Sequence, residues 1–162
     1  MHDLTAKVEF FDKIVKCPKT HARLLNTLSL MELCGAQLIS RALPKLALTS
    51  FVLEHVAEEY RHAFYLRKCA NKIAQKELST SDAFCIAESR RYLRSLNLAA
   101  CRMLKNQSIP RLPYLLTTFM IETRALPFYQ AYQSIIEKNH IQISLKSIIA
   151  EEEDHLNQIK EE

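Results

Sequence analysis

The chain has 162 residues, a length that fits one domain, taken as residues 1–162, with a core of its own. One glycine, five prolines and 48% hydrophobic residues leave little material for hairpins and favour helices. Charge is modestly basic at +4, no run of about 18 apolar residues offers a membrane span, and the opening Met1-His2-Asp3-Leu4 lacks the basic-then-apolar profile of a signal peptide.

Helical spacing runs through most of the chain. Leu4, Val8, Phe11, Ile14 and Val15 mark a short first helix, which must end before Pro18. A second helix is expected over residues 20–42, closed by Pro44. A third starts at the N-cap pair Thr49–Ser50 and reaches residue 75. Ser81 and Asp82 are expected to cap a fourth, running to Lys105 with its apolar face at positions 84, 87, 92, 96, 99 and 103. Pro110 and Pro113 precede a fifth that ends near Lys138, and a sixth covers residues 141–158. The cysteines at 17, 34, 69, 85 and 101 are odd in number and contain no Cys-x-x-Cys, which points to reduced thiols in a cytoplasm and away from a cysteine-ligated metal module.

One pattern occurs twice. Glu32 is followed by Glu59-x-x-His62, and Glu122 by Glu152-x-x-His155. A Glu three residues before a His places both side chains on one helical face, a turn apart. A third match, Glu137-x-x-His140, lies beside Asn139 at an expected helix end and is set aside. The two lone glutamates carry the weight. Glu32 is the only acid between Lys13 and Leu53, and Glu122 the only one between Ser89 and Ile136; each sits on an apolar segment. A buried unpaired carboxylate costs several kcal/mol, so such residues neutralise, find partners or bind metal. Glu32, Glu59, His62, Glu122, Glu152 and His155 are therefore the candidate metal ligands. Four carboxylates and two imidazoles suit two iron ions, with manganese or a mixed pair as alternatives, and four negative charges balance two divalent cations.

The levels of these residues along their helices can be compared. Glu32 is about 11 residues from the end of its helix and Glu59 about 10 into the next, so antiparallel packing brings them level roughly 16 Å from the turn. Glu122 and Glu152 agree less well, about 16 residues against 11, a gap of roughly 7 Å. A kink at Pro127 is expected to absorb part of it. The segment at 82–105 is long enough to carry the chain back along the bundle.

Ala57-Glu58-Glu59-Tyr60-Arg61-His62-Ala63 resembles the corresponding stretch of rubrerythrin-like proteins and of bacterial di-iron monooxygenases. Glu151-Glu152-Glu153-Asp154-His155 resembles the second copy, with Asp154 where Arg is frequent. The resemblance is to the ferritin-like di-iron carboxylate superfamily, and names no member. It implies an all-α fold: a four-helix bundle with a long helical crossover between two helix pairs and a short N-terminal helix. It further implies that Glu58 and Glu151 hydrogen-bond the outer nitrogen of the opposite helix's histidine, that Arg61 pairs with one of them, and that Asp154 occupies the matching place.

Small and apolar residues lie one turn from the lone glutamates: Leu28, Ser29, Gly35 and Ala36 around Glu32, and Thr118, Phe119, Ala125 and Leu126 around Glu122. The single glycine, Gly35, either leaves space beside the metals or lets helices pack closely. His55 shares a face with Glu59 and His62, either lining an access path or serving the core. Tyr129 is a candidate proton or electron donor beside its reading as a core tyrosine. Arg90, Arg91, Arg94, Arg102 and Lys105 form a basic face on the fourth helix, either solvated or docking an acidic partner such as RNA or a carrier protein. The leading expectation is an oxygen-activating oxidase or oxygenase acting on a small apolar substrate with O2 or peroxide, supplied by an external electron donor if it is an oxygenase. Iron or peroxide handling, as in rubrerythrin or bacterioferritin, and a non-enzymatic helical interaction protein are the alternatives. A homodimer stays open.

Overall fold

A computed structural model describes residues 2–46, 48–105, 109 and 111–161, with the side chains of residues 2–7 and 45 excepted. Among the described residues the fold is all-helical and contains six α-helices and no strand. They are α1 (His2–Val15), α2 (Pro18–Ala42), α3 (Ser50–Ala74), α4 (Ile86–Met103), α5 (Leu112–Lys138) and α6 (Lys146–Glu161). None of them is long and apolar enough to cross a membrane.

The helix ends follow local chemistry. Pro18 opens α2, where its missing N–H costs nothing, after Cys17 in extended conformation. Pro44 falls in a short 3-10 turn at Leu43–Lys45 that stops α2. Thr49 caps α3 by accepting the Val52 amide at 3.3 Å. At the other end of α3 Gln75 turns left-handed at φ 53° and its amide returns to the Asn71 carbonyl.

The start of α4 departs from the sequence expectation. Ser81 and Asp82 belong to a separate 3-10 turn, Thr80–Asp82, closed by a reciprocal capping box between Ser79 and Asp82. The chain then passes through Cys85, left-handed at φ 45°, and α4 begins at Ile86 without a side-chain cap. Its inward face also differs. Leu93 and Ala100 are the buried positions, while Tyr92 and Met103 from the expected face are 43% and 77% exposed. Two faces of this helix carry apolar residues at helical spacing, and only the packing against α2 and α5 selects between them. Pro113 lies in the first turn of α5 rather than before it, and Pro110 lies outside the described residues.

The register of Glu122 against Glu152 is set in the connection between α5 and α6. That helix begins at Lys146, five residues later than expected, after residues 141–145 that are not helical. Glu122 is then 16 residues from the end of α5, and Glu152 is 6 into α6. The difference of ten residues is about 15 Å at helical rise. Five extended residues cover about 16 Å and so bring the two levels together, while α5 continues as one helix through Pro127. The returning strand of chain is pinned by the Leu145 amide, which donates to Gln133 Oε1 at 2.6 Å, and by Tyr65, whose hydroxyl donates to the Ser144 carbonyl at 2.8 Å.

Two hydrophobic clusters flank the centre. The larger joins Phe11 and Val15 of α1 to Leu24, Leu25, Leu66, Tyr129, Tyr132 and Ile148 from four other helices and their neighbours. Phe11 stacks on Tyr132 at 5.1 Å and meets Phe128 edge-on at 4.9 Å, which fastens α1 over α5. The smaller cluster contains Ile39, Leu46, Val52, Tyr114 and Leu115. Helices α2 and α3 run antiparallel and close together, with Ser29 Oγ donating to the Ala63 carbonyl at 2.7 Å. That pairing brings Glu32 level with Glu59, as their distances from the turn require.

Candidate metal centre

All six glutamate and histidine positions singled out by spacing are buried: Glu32 and Glu59 are 9% and 7% exposed, the other four 2% each. Four helices contribute them: α2 gives Glu32, α3 gives Glu59 and His62, α5 gives Glu122, and α6 gives Glu152 and His155. Each is turned into the interior between the helices, and in α3 and α6 an i, i+3 pair presents both side chains together.

A seventh side chain joins them. His55, one turn before Glu59 and 1% exposed, places Nε2 3.1 Å from Glu122 Oε1 and 3.5 Å from Glu59 Oε1. Its ring lies 4.1 Å from that of His155. Spacing put His55 on this face but gave no reason to choose a ligand over a core histidine. The deciding signal is Glu122, which arrives from a helix 67 positions later.

The donors fall into two groups, in each of which one ligand atom per residue lies within 4.8 Å of the others: Glu32, Glu59, His62 and Glu152, and His55, Glu122 and His155. His62 Nδ1 is 3.6 Å from Glu32 and 3.5 Å from Glu152, while His155 Nδ1 is 3.4 Å from Glu122. Glu59, within reach of His55 Nε2, stands between the groups.

Each histidine is held from outside. His62 Nε2–H donates to Glu151 at 2.5 Å and His155 Nε2–H to Glu58 at 2.7 Å. His55 Nδ1 pairs with the Tyr114 hydroxyl at 2.7 Å. These outer bonds fix the ring orientations and leave the inner nitrogens facing carboxylates. Arg61, half exposed, reaches both outer carboxylates, at 2.7 Å from Glu151 and 3.3 Å from Glu58. Asp154 takes no part in these hydrogen bonds: its side chain is exposed, at the edge of a small pocket that Glu58, Glu151 and His155 also line. One arginine serves both halves, which removes the need for a second at position 154. Tyr129, 2% exposed, donates its hydroxyl proton to Glu32 Oε1. Glu137 and His140 lie elsewhere, Glu137 in an exposed ion pair with Lys146 at 2.9 Å and His140 in a left-handed turn after α5.

Gly35 is explained by close approach. A Cβ there would lie 2.3 Å from Glu59 Oε2, so the missing side chain gives room to that carboxylate rather than to a ligand.

The electrostatics of the protein alone are unbalanced. Burial pushes the Glu152 carboxyl up to about 8, against the lowering effect of its bond with His62. Burial disfavours the His62 cation, yet its bonds to Glu152, Glu32 and Glu151 outweigh this and lift it to about 11. His55 is raised for the same reason: the nearby carboxylates of Glu122 and Glu59 overcome its burial. Acid and base shifting upward together means that buried negative charge exceeds the available positive charge. Among the described residues, the buried side-chain atoms without a well-formed hydrogen bond all belong to the cluster: His62 Nδ1, His155 Nδ1 and both oxygens of Glu122. Unpartnered buried acceptors and uncompensated carboxylates are both relieved by cations, so the donor set fits divalent metal.

A cavity of about 940 Å³ opens beside the cluster between α2, α4 and α5, and His55, Glu59 and Glu122 form part of its wall. The five cysteines are unpaired; Cys34 and Cys101 line this cavity rather than join the donors. No family model matches the chain, and no similar protein was found among curated proteins or among solved structures.

Proposed function

We propose that the chain is a two-metal carboxylate protein of ferritin-like architecture, in which α2, α3, α5 and α6 form the bundle, α4 is the crossover and α1 is an added N-terminal helix. The observation that supports this most directly is the set of buried, partnerless inner atoms on His62, His155 and Glu122, each ring fixed from behind by its own hydrogen bond. Histidines oriented in that way, with a carboxylate behind the ring, are the usual arrangement of metal-binding imidazoles.

In this reading Glu32, His62 and Glu152 would hold one ion, His55, Glu122 and His155 the other, with Glu59 shared. Iron suits the mixed oxygen and nitrogen donors; manganese or a mixed pair are the alternatives. Bound metals of this kind would supply electrons and Lewis acidity to O2 or peroxide. The residues of the chain supply the rest. Glu58, Glu151 and Arg61 fix His155 and His62, Tyr114 fixes His55, and Tyr129 holds a proton against Glu32. The adjoining cavity favours an oxidase or oxygenase acting on an organic substrate, with an external electron donor, over iron storage or peroxide removal.

Purified protein, reconstituted with ferrous iron and assayed for metal content, tests the reading. Two metals per chain are expected, falling below one in Glu122→Ala. Fewer than one metal in the wild type, unaffected by that substitution, overturns it. Ferrous protein mixed with O2 and with peroxide then separates the chemistries: rapid peroxide turnover or mineralised iron moves the function to iron or peroxide handling.

A further inference from the structure

The basic face of α4 is not merely a solvated surface. Arg90 and Arg94 are one turn apart and both line the cavity beside the cluster, joined from α2 by Arg41. All three are exposed, and none has a hydrogen bond or ion pair among the described residues. The acids on the cavity wall are Glu59 and Glu122, both committed to the buried cluster and facing its histidines. The same wall carries the apolar side chains of Leu38, Leu93 and Ile121 together with the polar Gln37, Asn97 and Thr117. The other basic residues of α4, Arg91 and Arg102, do not line it, nor does Lys105 just beyond the helix.

A cavity whose wall combines apolar side chains, three arginines and members of the buried cluster discriminates among small molecules. A purely apolar compound leaves three guanidinium groups without partners. A cationic compound is repelled by them. A bare inorganic anion gains nothing from the apolar side chains. An organic acid satisfies both, since guanidinium recognises a carboxylate through paired N–H donors and the hydrocarbon part is taken out of water. We propose that this cavity is the substrate site and binds an amphipathic monocarboxylate, its charged end on Arg90, Arg94 and Arg41 and its apolar part against the apolar side chains of the wall. The proposal rests on the two-metal reading for its chemistry, but the binding itself rests on the arginines.

Calorimetric titration with octanoate and decanoate tests it, with octan-1-ol, octylammonium and inorganic phosphate as comparisons, on iron-loaded and on metal-free protein. The carboxylates are expected to bind at least about tenfold more tightly than any comparison compound. The exposed pair Arg90→Leu and Arg94→Leu, combined, should remove that advantage and leave octan-1-ol binding unchanged. Equal binding of octan-1-ol or of phosphate, no binding of either carboxylate, or carboxylate affinity within about twofold of wild type in the double variant overturns the proposal. A carboxylate held by the metals alone would bind loaded protein only and ignore the arginine substitutions, which also overturns it. Failure of the chain to bind iron, with octanoate still held through the arginines, overturns the metal reading and leaves the site standing.

Discussion

Glu58 on α3 accepts a hydrogen bond from His155 on α6 at 2.7 Å, across the interface between two helices. The reverse bond, from His62 on α3 to Glu151 on α6, completes the exchange at 2.5 Å. Each Glu-Glu-x-x-His stretch thus orients the other's histidine, and Arg61 ties the two outer carboxylates together. Removing an orienting carboxylate typically costs roughly 10- to 100-fold in metal affinity. Glu58→Gln and Glu151→Gln should each show a loss of that size in competition with a chelator of known affinity. Arg61→Ala should lose less, because the arginine is half exposed, and Asp154→Asn should match wild type.

Glu122 buries both oxygens without a well-formed hydrogen bond, facing only the ring nitrogens of His55 at 3.1 Å and His155 at 3.4 Å, so its burial is poorly compensated in the absence of metal. Glu122→Leu should leave the metal-free protein as stable as wild type or raise it by roughly 1–2 kcal/mol, while abolishing the rise in melting temperature on adding ferrous iron. Thermal melts with and without metal give both numbers. A large loss of stability in the metal-free variant would mean that Glu122 is a structural partner, not a ligand.

Gly35→Ala sets helix propensity against the site. Alanine favours the interior of α2 by about 1 kcal/mol, but its Cβ would fall 2.3 Å from Glu59 Oε2. The carboxylate must swing aside. Melting of the metal-free protein should change by no more than about 1 kcal/mol, whereas metal content should fall by at least one ion per chain. Unchanged metal content would show that Glu59 has freedom to move.

His21 gives stability a pH dependence remote from the metal positions. It is 3% exposed and shares a hydrogen bond with the Tyr132 hydroxyl at 2.5 Å, and burial lowers its pKa to about 4 from an ordinary 6.5. Between those values the unfolded chain binds a proton that the folded chain refuses, so stability falls as pH drops through the window. The contribution is complete above about pH 6.5 and worth at most about 3 kcal/mol. Urea unfolding of His21→Gln against wild type between pH 4.5 and 7 should show the wild type losing more stability on acidification; parallel curves would exclude this.

Asn26, fully buried on α2, pins the connection after α3: its amide donates to the Ser79 carbonyl at 2.9 Å, and its oxygen accepts from Arg67, which also donates to the Leu78 carbonyl at 2.7 Å. Asn26→Ala leaves buried partners unsatisfied and should destabilise by about 2–3 kcal/mol in chemical unfolding, with metal content retained.

Sequence spacing determined the helices and the six acidic and basic residues that meet at their centre, because helical period and the isolation of Glu32 and Glu122 on apolar segments are local properties. Four features were decided only by tertiary structure. The level of α6 depends on how far residues 141–145 extend before helix resumes, and no local signal separates an extended start from a helical one there. The inward face of α4 had two apolar candidates, and contact with α2 and α5 chose the one with Leu93 and Ala100. His55 became part of the cluster because Glu122 arrives beside it from a distant helix. Arg90 and Arg94 became a cavity wall because α4 packs beside the buried acid–histidine cluster. A helical face can be read from a sequence; the neighbour it meets is fixed by how the chain returns.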